Sequence, residues 1–419
     1  MGVGKELPRM FRRLAAVVFI FMATAVAWAI LGTTIFHRTY SSRAGLKDRV
    51  VSTWGAPHEQ VPPSASFDEI VASTSETTVE GRKVVRTTQE KHARPLPLEN
   101  SRIDVGLDLE HRRKGLLWYS TYSVAFGATY MFRNTSAAEQ PVTFELRFPA
   151  SRAVYDGLIM EVDGVPLAVT NHKTSANGVA RIGAGRAAAL KVAYRSQGLD
   201  SWRYSLGGDV AQVRDFSLKM ITNFKGIDFP ESTLSPSAKR ETGNGWELTW
   251  TYQNLVSGFQ IGMEMPQKLQ PGPLAGRISY FAPVALLFFF FLMFIITTLR
   301  RIDLHPMNYF FLACAFFAFH LLLAYLVDHV SIHAAFAVSS AVSVFLVVSY
   351  LRLVAGMRFA ALEAGTAQLV YLVLFSYAFF FEGFTGLAVT VGSIATLFVV
   401  MQMTGRIRWT EVFARRAEG

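Results

Sequence analysis

Asp328, His329 and His333 bring a carboxylate and two imidazoles into six residues, DHVSIH, between two long apolar runs. Two histidines four apart on a helix can share a metal with a carboxylate. Here the segment reads as a turn, where that spacing loses its helical meaning, and no fourth ligand is evident. The expectation is a polar cluster without metal, joined at the same membrane face by Glu382. Two further ionisable groups, His320 and Glu363, fall inside apolar runs. An ionisable group in hydrocarbon is a functional candidate by default. The plainer readings are that Glu363 reaches back to the interface beside Arg358 and that His320 hydrogen-bonds a neighbouring helix. His305 and Pro306 complete the candidate polar residues, in a short charged gap, LRRIDLHPM.

Other chemistry finds no support. Among the glycine-bearing segments, RIGAGR (181–186) lies in strand-like surroundings and GDVAQVRD lacks phosphate-loop spacing; no G-x-S-x-G occurs at a strand–helix junction. The sequence therefore names no catalytic residue and no cofactor. The lone cysteine, Cys314, is expected to be buried in an apolar run, and a single cysteine excludes a disulfide within the chain.

The elements that must position these residues are set by hydropathy. Of 419 residues, 51% are hydrophobic and only 17% charged, where a soluble domain has about a quarter charged. Leu14–Phe36 is a 23-residue run without charge, longer than the apolar part of a cleaved signal, and reads as an uncleaved anchor. Five more spans are expected at 280–299, 307–327, 334–351, 359–381 and 387–403. The Phe-rich run at 288–294 reads as lipid-facing bulk.

Charge then assigns sides. The net charge of +10 would suit nucleic acid, but much of it lies beside apolar runs, in Lys5, Arg9, Arg300, Arg301, Arg352, Arg358, Arg406 and others. The N-terminus, the 300–306 and 352–358 turns and the tail are basic, whereas 328–333 and 382–386 carry no Lys or Arg. Basic short loops stay cytoplasmic, so both termini are expected inside and residues 37–279 outside, in the periplasm of a bacterium. Nucleic acid is excluded as a partner; the lipid bilayer is implied.

The region between the first two spans alternates with period two. In VTFELRF, Val142, Phe144 and Leu146 share a face; in WELTWTY, Trp246, Leu248, Trp250 and Tyr252 do. LIMEVDG ends in Asp163-Gly164, a hairpin signal. Further turns are expected at 134–136, 177–178, 207–208 and 243–245, framing an antiparallel β-sandwich-like domain over about 105–265. Residues 39–57 suit a helix continuing the anchor, VPPSAS and STSETT suit loops, and 83–97 is extended. The expected class is an α+β membrane protein with six transmembrane helices, one before and five after the β domain.

The stretch RRIDLHPMNYFFLACAFFAFHLLLAYLVDH resembles the signature region of the CreD family of bacterial inner-membrane proteins. Leu304, His305, Pro306 and Met307 stand for the family's turn, and Asp328 with His329 for its acid–histidine pair. VVSTWGAP (50–57), EHRRKGLLWYSTY (110–122), SYFAPVALLFFFFLMF and GSIATLFVVMQMTGRIRW (392–409) are similar to other family segments. The sequence departs at HEQVPP, which replaces a glycine–proline segment, and at Gly383, which follows Glu382 where a second acid is common. The resemblance implies an inner-membrane protein with a large periplasmic domain, linked to a two-component regulon and to envelope integrity. The leading expectation is a non-enzymatic envelope protein binding envelope polymers or other membrane proteins. The alternatives are a transporter lined by His320, Gln368, Ser376 and Tyr377, and an enzyme using Asp328, His329 and Glu382.

Overall fold

A computed structural model describes residues 3–79, 82–114, 117–207, 211–381 and 383–405. The chain divides into two compact units. One is helical, from Met1–Ala44, Gly115–Leu117 and Leu269–Gly419; the other is built mostly of strands, from Gly45–Lys114 and Trp118–Lys268.

Among the described residues of the helical unit, six helices are long and apolar enough to cross a membrane. α1 spans Val3–Trp54, so the helix continues well past the apolar run, as the 39–57 segment suggested. α2 spans Pro271–Leu299 and begins nine residues before the expected Tyr280. Its added first turns, PGPLAGRIS, are helix-compatible because Pro271 and Pro273 occupy the N-terminal turn, where a missing N–H costs little. α3 (Pro306–Leu326) has His305 as N-cap, accepting from the Met307 N–H at 3.2 Å, and Pro306 as its first residue. α4 spans Ile332–Ala355, capped by Ser331 and ended by Gly356 at φ +88°. The fifth span, 359–380, is not one regular helix: π-helical turns at Phe359–Ala364 and Leu369–Leu374 flank Gly365–Gln368. Thr385–Thr404 forms the last span.

Named contacts give the direction of the first three helices. Where Gly276 lacks a side chain, a Cβ would meet Ile35 and Phe36 at 3.3–3.5 Å, and one on Gly32 would meet Tyr280. Rising residue numbers on α1 thus meet falling numbers on α2, an antiparallel pair. Trp28 meets Phe317 and His320, whereas Arg38 reaches Ala324 and Asp328, so α1 and α3 run parallel. The Phe-rich run is split rather than wholly lipid-facing: Phe289, Phe290 and Met293 are buried, while Phe291 is 47% exposed. Cys314 is exposed on the bundle surface instead of being buried.

The strand unit holds three sheets. The smallest runs β1-β12-β16, with β1 His58–Gln60, β12 Ser201–Tyr204 and β16 Ile261–Glu264. The second runs β3-β2-β6-β10-β9, with β2 Ser64–Val79, β3 Arg82–Pro95, β6 Gln140–Arg147, β9 Thr170–Asn171 and β10 Ser175–Ile182. The third runs β14-β15-β13-β4-β5-β11-β7-β8. Its members are β4 Leu98–Lys114, β5 Leu117–Arg133, β7 Tyr155–Val162, β8 Val165–Pro166, β11 Ala187–Leu199, β13 Ala211–Thr222, β14 Ala238–Glu241 and β15 Trp246–Ser257. Antiparallel pairing dominates, but β1 with β12 and β13 with β4 are parallel, a departure from the all-antiparallel expectation.

The alternating segments bury the faces their period selects. Val142, Phe144, Leu146, Leu248 and Trp250 have no exposed surface, and each such side chain contributes about 1.5–3 kcal/mol of burial. Phe132 of the third sheet packs edge-on against Phe144 of the second, and Tyr130 meets Tyr204 of the first. Asp163 (φ 51°) and Gly164 (φ 82°) form the tight turn from β7 to β8.

Three loop expectations fail in whole or in part: of VPPSAS only residues 61–63 are loop, and Ser64–Ser66 begin β2 and pair with β6. Asn177-Gly178 lies inside β10, where Gly178 opposes Phe144; a Cβ there would lie 2.9 Å from Leu167. The glycine makes room for a side chain instead of a turn. STSETT belongs to β2 and pairs with β3 from Ser66↔Pro95 to Val79↔Arg82. Its Ser and Thr residues suit a strand whose partner satisfies the backbone, which composition read locally does not reveal.

Candidate functional site

The predicted polar residues of the helical unit fall into three separate places. Glu363, at the start of the fifth span, is bound by Arg300 at 2.6 Å. The expected partner was Arg358, which is exposed. Arg300 follows the end of α2, so the pairing crosses helices, and spacing along one helix cannot register it. One arginine of LRRIDLHPM therefore holds an acid that would otherwise lie bare at the membrane edge.

His320 is buried, with Trp28 and Phe319 edge-on against its ring at 5.7 and 4.8 Å. Its Nδ1–H donates to the Phe316 carbonyl oxygen of its own helix at 3.0 Å. The expected bond to a neighbouring helix is thus replaced by aromatic packing against α1. Nothing here aligns it with Gln368, the other supposed pathway residue. Gln368 donates from Nε2 to Ser343 Oγ at 2.8 Å, and Ser343 donates to the Ala315 carbonyl oxygen at 2.6 Å. This chain of bonds ties the fifth span through α4 to α3. Ser376 is buried and Tyr377 is 40% exposed, stacked on Phe380.

Asp328 faces Arg38 of α1 at 3.2 Å, and Arg38 also donates to the Ala324 carbonyl oxygen at 3.0 Å with Tyr325 beneath its guanidinium. His329 is exposed, and His333 packs on Phe380. The acid and the two imidazoles therefore have different partners, and among the described residues no three His, Cys, Asp or Glu converge as metal ligands. Glu382 lies outside the described residues.

The strand unit carries two features the sequence reading missed. The first is a cavity of about 530 Å³ lined by Glu99, Arg133, Tyr204, Gln212, Arg214 and Phe216 among others. Arg133 grips Glu99 with two bonds, 2.6 and 3.0 Å, and those bonds hold the Glu99 carboxyl below its usual range, with the Arg214 charge adding to them. The lining thus offers exposed cations, an amide and an aromatic floor. No local motif marks it, because its residues come from β4, β5, β12 and β13.

The second is a buried polar network built where α1 ends. Gly55 at φ +97° and Pro57 stop the helix, and His58 enters β1. Its Nδ1 bonds the Ala56 carbonyl oxygen at 3.0 Å, an acceptor only, so Nδ1 carries the proton. Nε2 then accepts from Ser196 Oγ at 3.0 Å. Tyr122 donates to the Ser201 carbonyl oxygen at 2.7 Å, and Tyr194 donates to Gln60 Oε1 at 2.7 Å. Burial lowers the His58 pKa to about 4, against a smaller opposing effect of the Ala56 bond. The imidazole is neutral and sealed from solvent, which suits a structural polar core rather than proton transfer to a substrate. Recurrent Tyr at inward strand positions (122, 130, 194, 204) was the available signal.

Residues 236–410 match the family model described as inner membrane protein CreD. The match contains the LHPM turn and the Asp328-His329 pair and bears out the resemblance they carry; VVSTWGAP and EHRRKGLLWYSTY lie outside it. No curated protein sequence matches the chain. Among solved structures, a Legionella pneumophila protein described as nutrient binding is 9% identical at TM-score 0.31, covering 56% of this chain and 76% of its own. A zinc metallopeptidase of the M1 type from Deinococcus radiodurans is 10% identical at TM-score 0.27. It shares 40% of this chain and 42% of its own, so the chain spans less than half of it.

Proposed function

We propose, from the match of residues 236–410 to the CreD inner-membrane family model, that this multi-pass inner membrane protein supports the cell envelope through a strand unit held in the periplasm, without catalysing a reaction. The observation that carries the reading is the alternation of basic hinges with helix direction. α1 and α3 run parallel and α2 opposes them, and the connections on the side of the 300–306 hinge hold Arg300, Arg301, Arg352 and Arg358. Both termini then lie in the cytoplasm. The cavity bounded by Arg133, Arg214, Gln212 and Tyr204 supports binding of a polar, anionic group of an envelope polymer or a membrane-protein partner.

Two measurements test this. Replacing Cys314 by Ser leaves no thiol; single cysteines at Val154, 77% exposed, and at Asp303 then report sides in intact spheroplasts. Labelling of 154 and not 303 by an impermeant reagent is expected; the reverse pattern refutes the orientation. Crosslinking from intact membranes should lose its envelope partners when Arg133 and Arg214 are both changed to Gln.

One observation favours a second reading, transport. The fifth span is interrupted by two π-helical stretches around buried Gln368, and such irregular turns recur at functional sites in membrane helices. Full envelope complementation by His320→Leu with Gln368→Ala would discard it.

A further inference from the structure

β2 and β3 leave the body of the strand unit together, as a two-stranded arm. β2 has β6 beside it only at Ser64, Ala65 and Ser66. Among the described residues β3 pairs with β2 alone, from Ser66↔Pro95 to Val79↔Arg82. Contact with the core ends at the base of the arm. Ala65, Phe67 and Leu96 are buried there, whereas Ile70 is 60% and Val71 42% exposed. From Phe67 to Val79 the arm extends about 43 Å. Over that length both outer edges present backbone N–H and C=O groups with no strand beside them among the described residues. A two-stranded hairpin with no further strand or helix against it is marginally stable in water, and a bare edge is a template for another strand.

Charge selects which strand fits each edge. β2 holds Asp68, Glu69 and Glu76 and no Lys or Arg, whereas β3 holds Arg82, Lys83, Arg86, Lys91 and Arg94 against the single acid Glu90. Inside the arm these opposite signs already meet: Lys91 pairs with Asp68 at 3.9 Å, and Arg94 pairs with Glu69. Opposite charges on facing strands attract and like charges repel. Edges of one sign would keep all arms apart. Opposite signs on the two edges disfavour β2 beside β2 and β3 beside β3, and leave one favourable contact, β2 of one arm beside β3 of another. A second copy of this chain supplies a strand of matching length and complementary charge for each edge.

We propose that the β2–β3 arm is a self-assembly element, in which β2 of one copy pairs antiparallel with β3 of the next and extends the sheet from arm to arm. Such a contact joins different edges of the two copies, so it links them head to tail in a ring or an open row. The inference uses neither the cavity nor the side of the membrane that the strand unit occupies, so it stands or falls apart from the proposed function.

The test uses the full-length protein with Cys314→Ser, reconstituted in lipid vesicles. One chain carries Ile70→Cys in β2 and a second, differently tagged, carries Ala93→Cys in β3, both at exposed positions. A short bismaleimide should join the two different chains at least threefold more than it joins either chain to itself. A charge-swapped arm, with Asp68→Lys, Glu69→Lys, Lys91→Glu and Arg94→Glu, keeps its internal pairs with the signs exchanged, which guards against loss of the arm itself. Swapped chains should crosslink with one another as native chains do, and at least threefold less with native chains. Crosslinking no higher than that of chains carrying Val154→Cys, an exposed position outside the arm, overturns the assembly. So does a yield between like cysteines that equals the mixed one, or a swapped arm that crosslinks to native arms as well as to its own kind.

Discussion

His58 and Gly198 show how one residue type can be required by its neighbours. A Cβ on Gly198 would fall 2.3 Å from the Tyr122 hydroxyl and 2.5 Å from His58 Nδ1, in a fully packed core. We expect Gly198→Ala to cost about 2–3 kcal/mol, read as a lowered strand-unit melting midpoint; a loss below about 0.5 kcal/mol would refute this packing. His58 adds a pH dependence. Its folded pKa is about 4 against 6.5 in the unfolded chain, so as pH falls below 6.5 the unfolded chain takes the proton first. Stability is complete above pH 6.5 and declines down to about pH 4, by about 3 kcal/mol in total. His58→Gln should flatten that decline in thermal melts at pH 7, 6 and 5; an unchanged slope would assign the acid sensitivity elsewhere.

At the scale of elements, the first helix is fastened by side chains at both ends of its apolar run. Trp28 packs between Phe317 and His320, and Arg38 pairs with Asp328 while bonding the Ala324 carbonyl oxygen. Both ionic partners are partly exposed, 34% and 20%, so the coupling should be on the order of 1 kcal/mol. A double-mutant cycle of Arg38→Ala and Asp328→Ala measures it, and the swap Arg38→Asp with Asp328→Arg should recover part of the loss. Additive single effects would show that the pair contributes nothing. The Gln368–Ser343–Ala315 bonds do the same work among the later spans: Gln368→Leu strands the Ser343 hydroxyl less than Ser343→Val strands the amide, so the second variant should lower bundle stability more.

The whole molecule has two cores of different origin. The helical one is mostly apolar, with His320 and the Gln368–Ser343 bonds buried in it, across spans that lipid also solvates, and the strand one is closed by two-sided alternation around His58 and the tyrosines. Acid should therefore act on them unequally. We expect far-ultraviolet dichroism in detergent between pH 7 and 4.5 to keep its helical component, while the near-ultraviolet tyrosine and tryptophan signal of the strand unit melts at falling temperature. Parallel loss of both signals would show that protonation acts outside the His58 network.

Hydropathy and period two were readable from the chain, because a membrane demands long uncharged runs and a half-buried strand demands alternation, and both demands are local. They delivered six spans, the inward faces at 142–148 and 246–252, the Asp163-Gly164 turn and the helix beyond the anchor. Partners across elements were not readable. Arg300 for Glu363, Arg38 for Asp328, Trp28 for His320, the parallel β1–β12 and β4–β13 pairs, and the cavity of Arg133 and Arg214 all join residues remote in sequence. STSETT and Asn177-Gly178 misled for the same reason: a polar strand or a mid-strand glycine is stabilised by the neighbour that pairs with it, and only the folded chain supplies that neighbour.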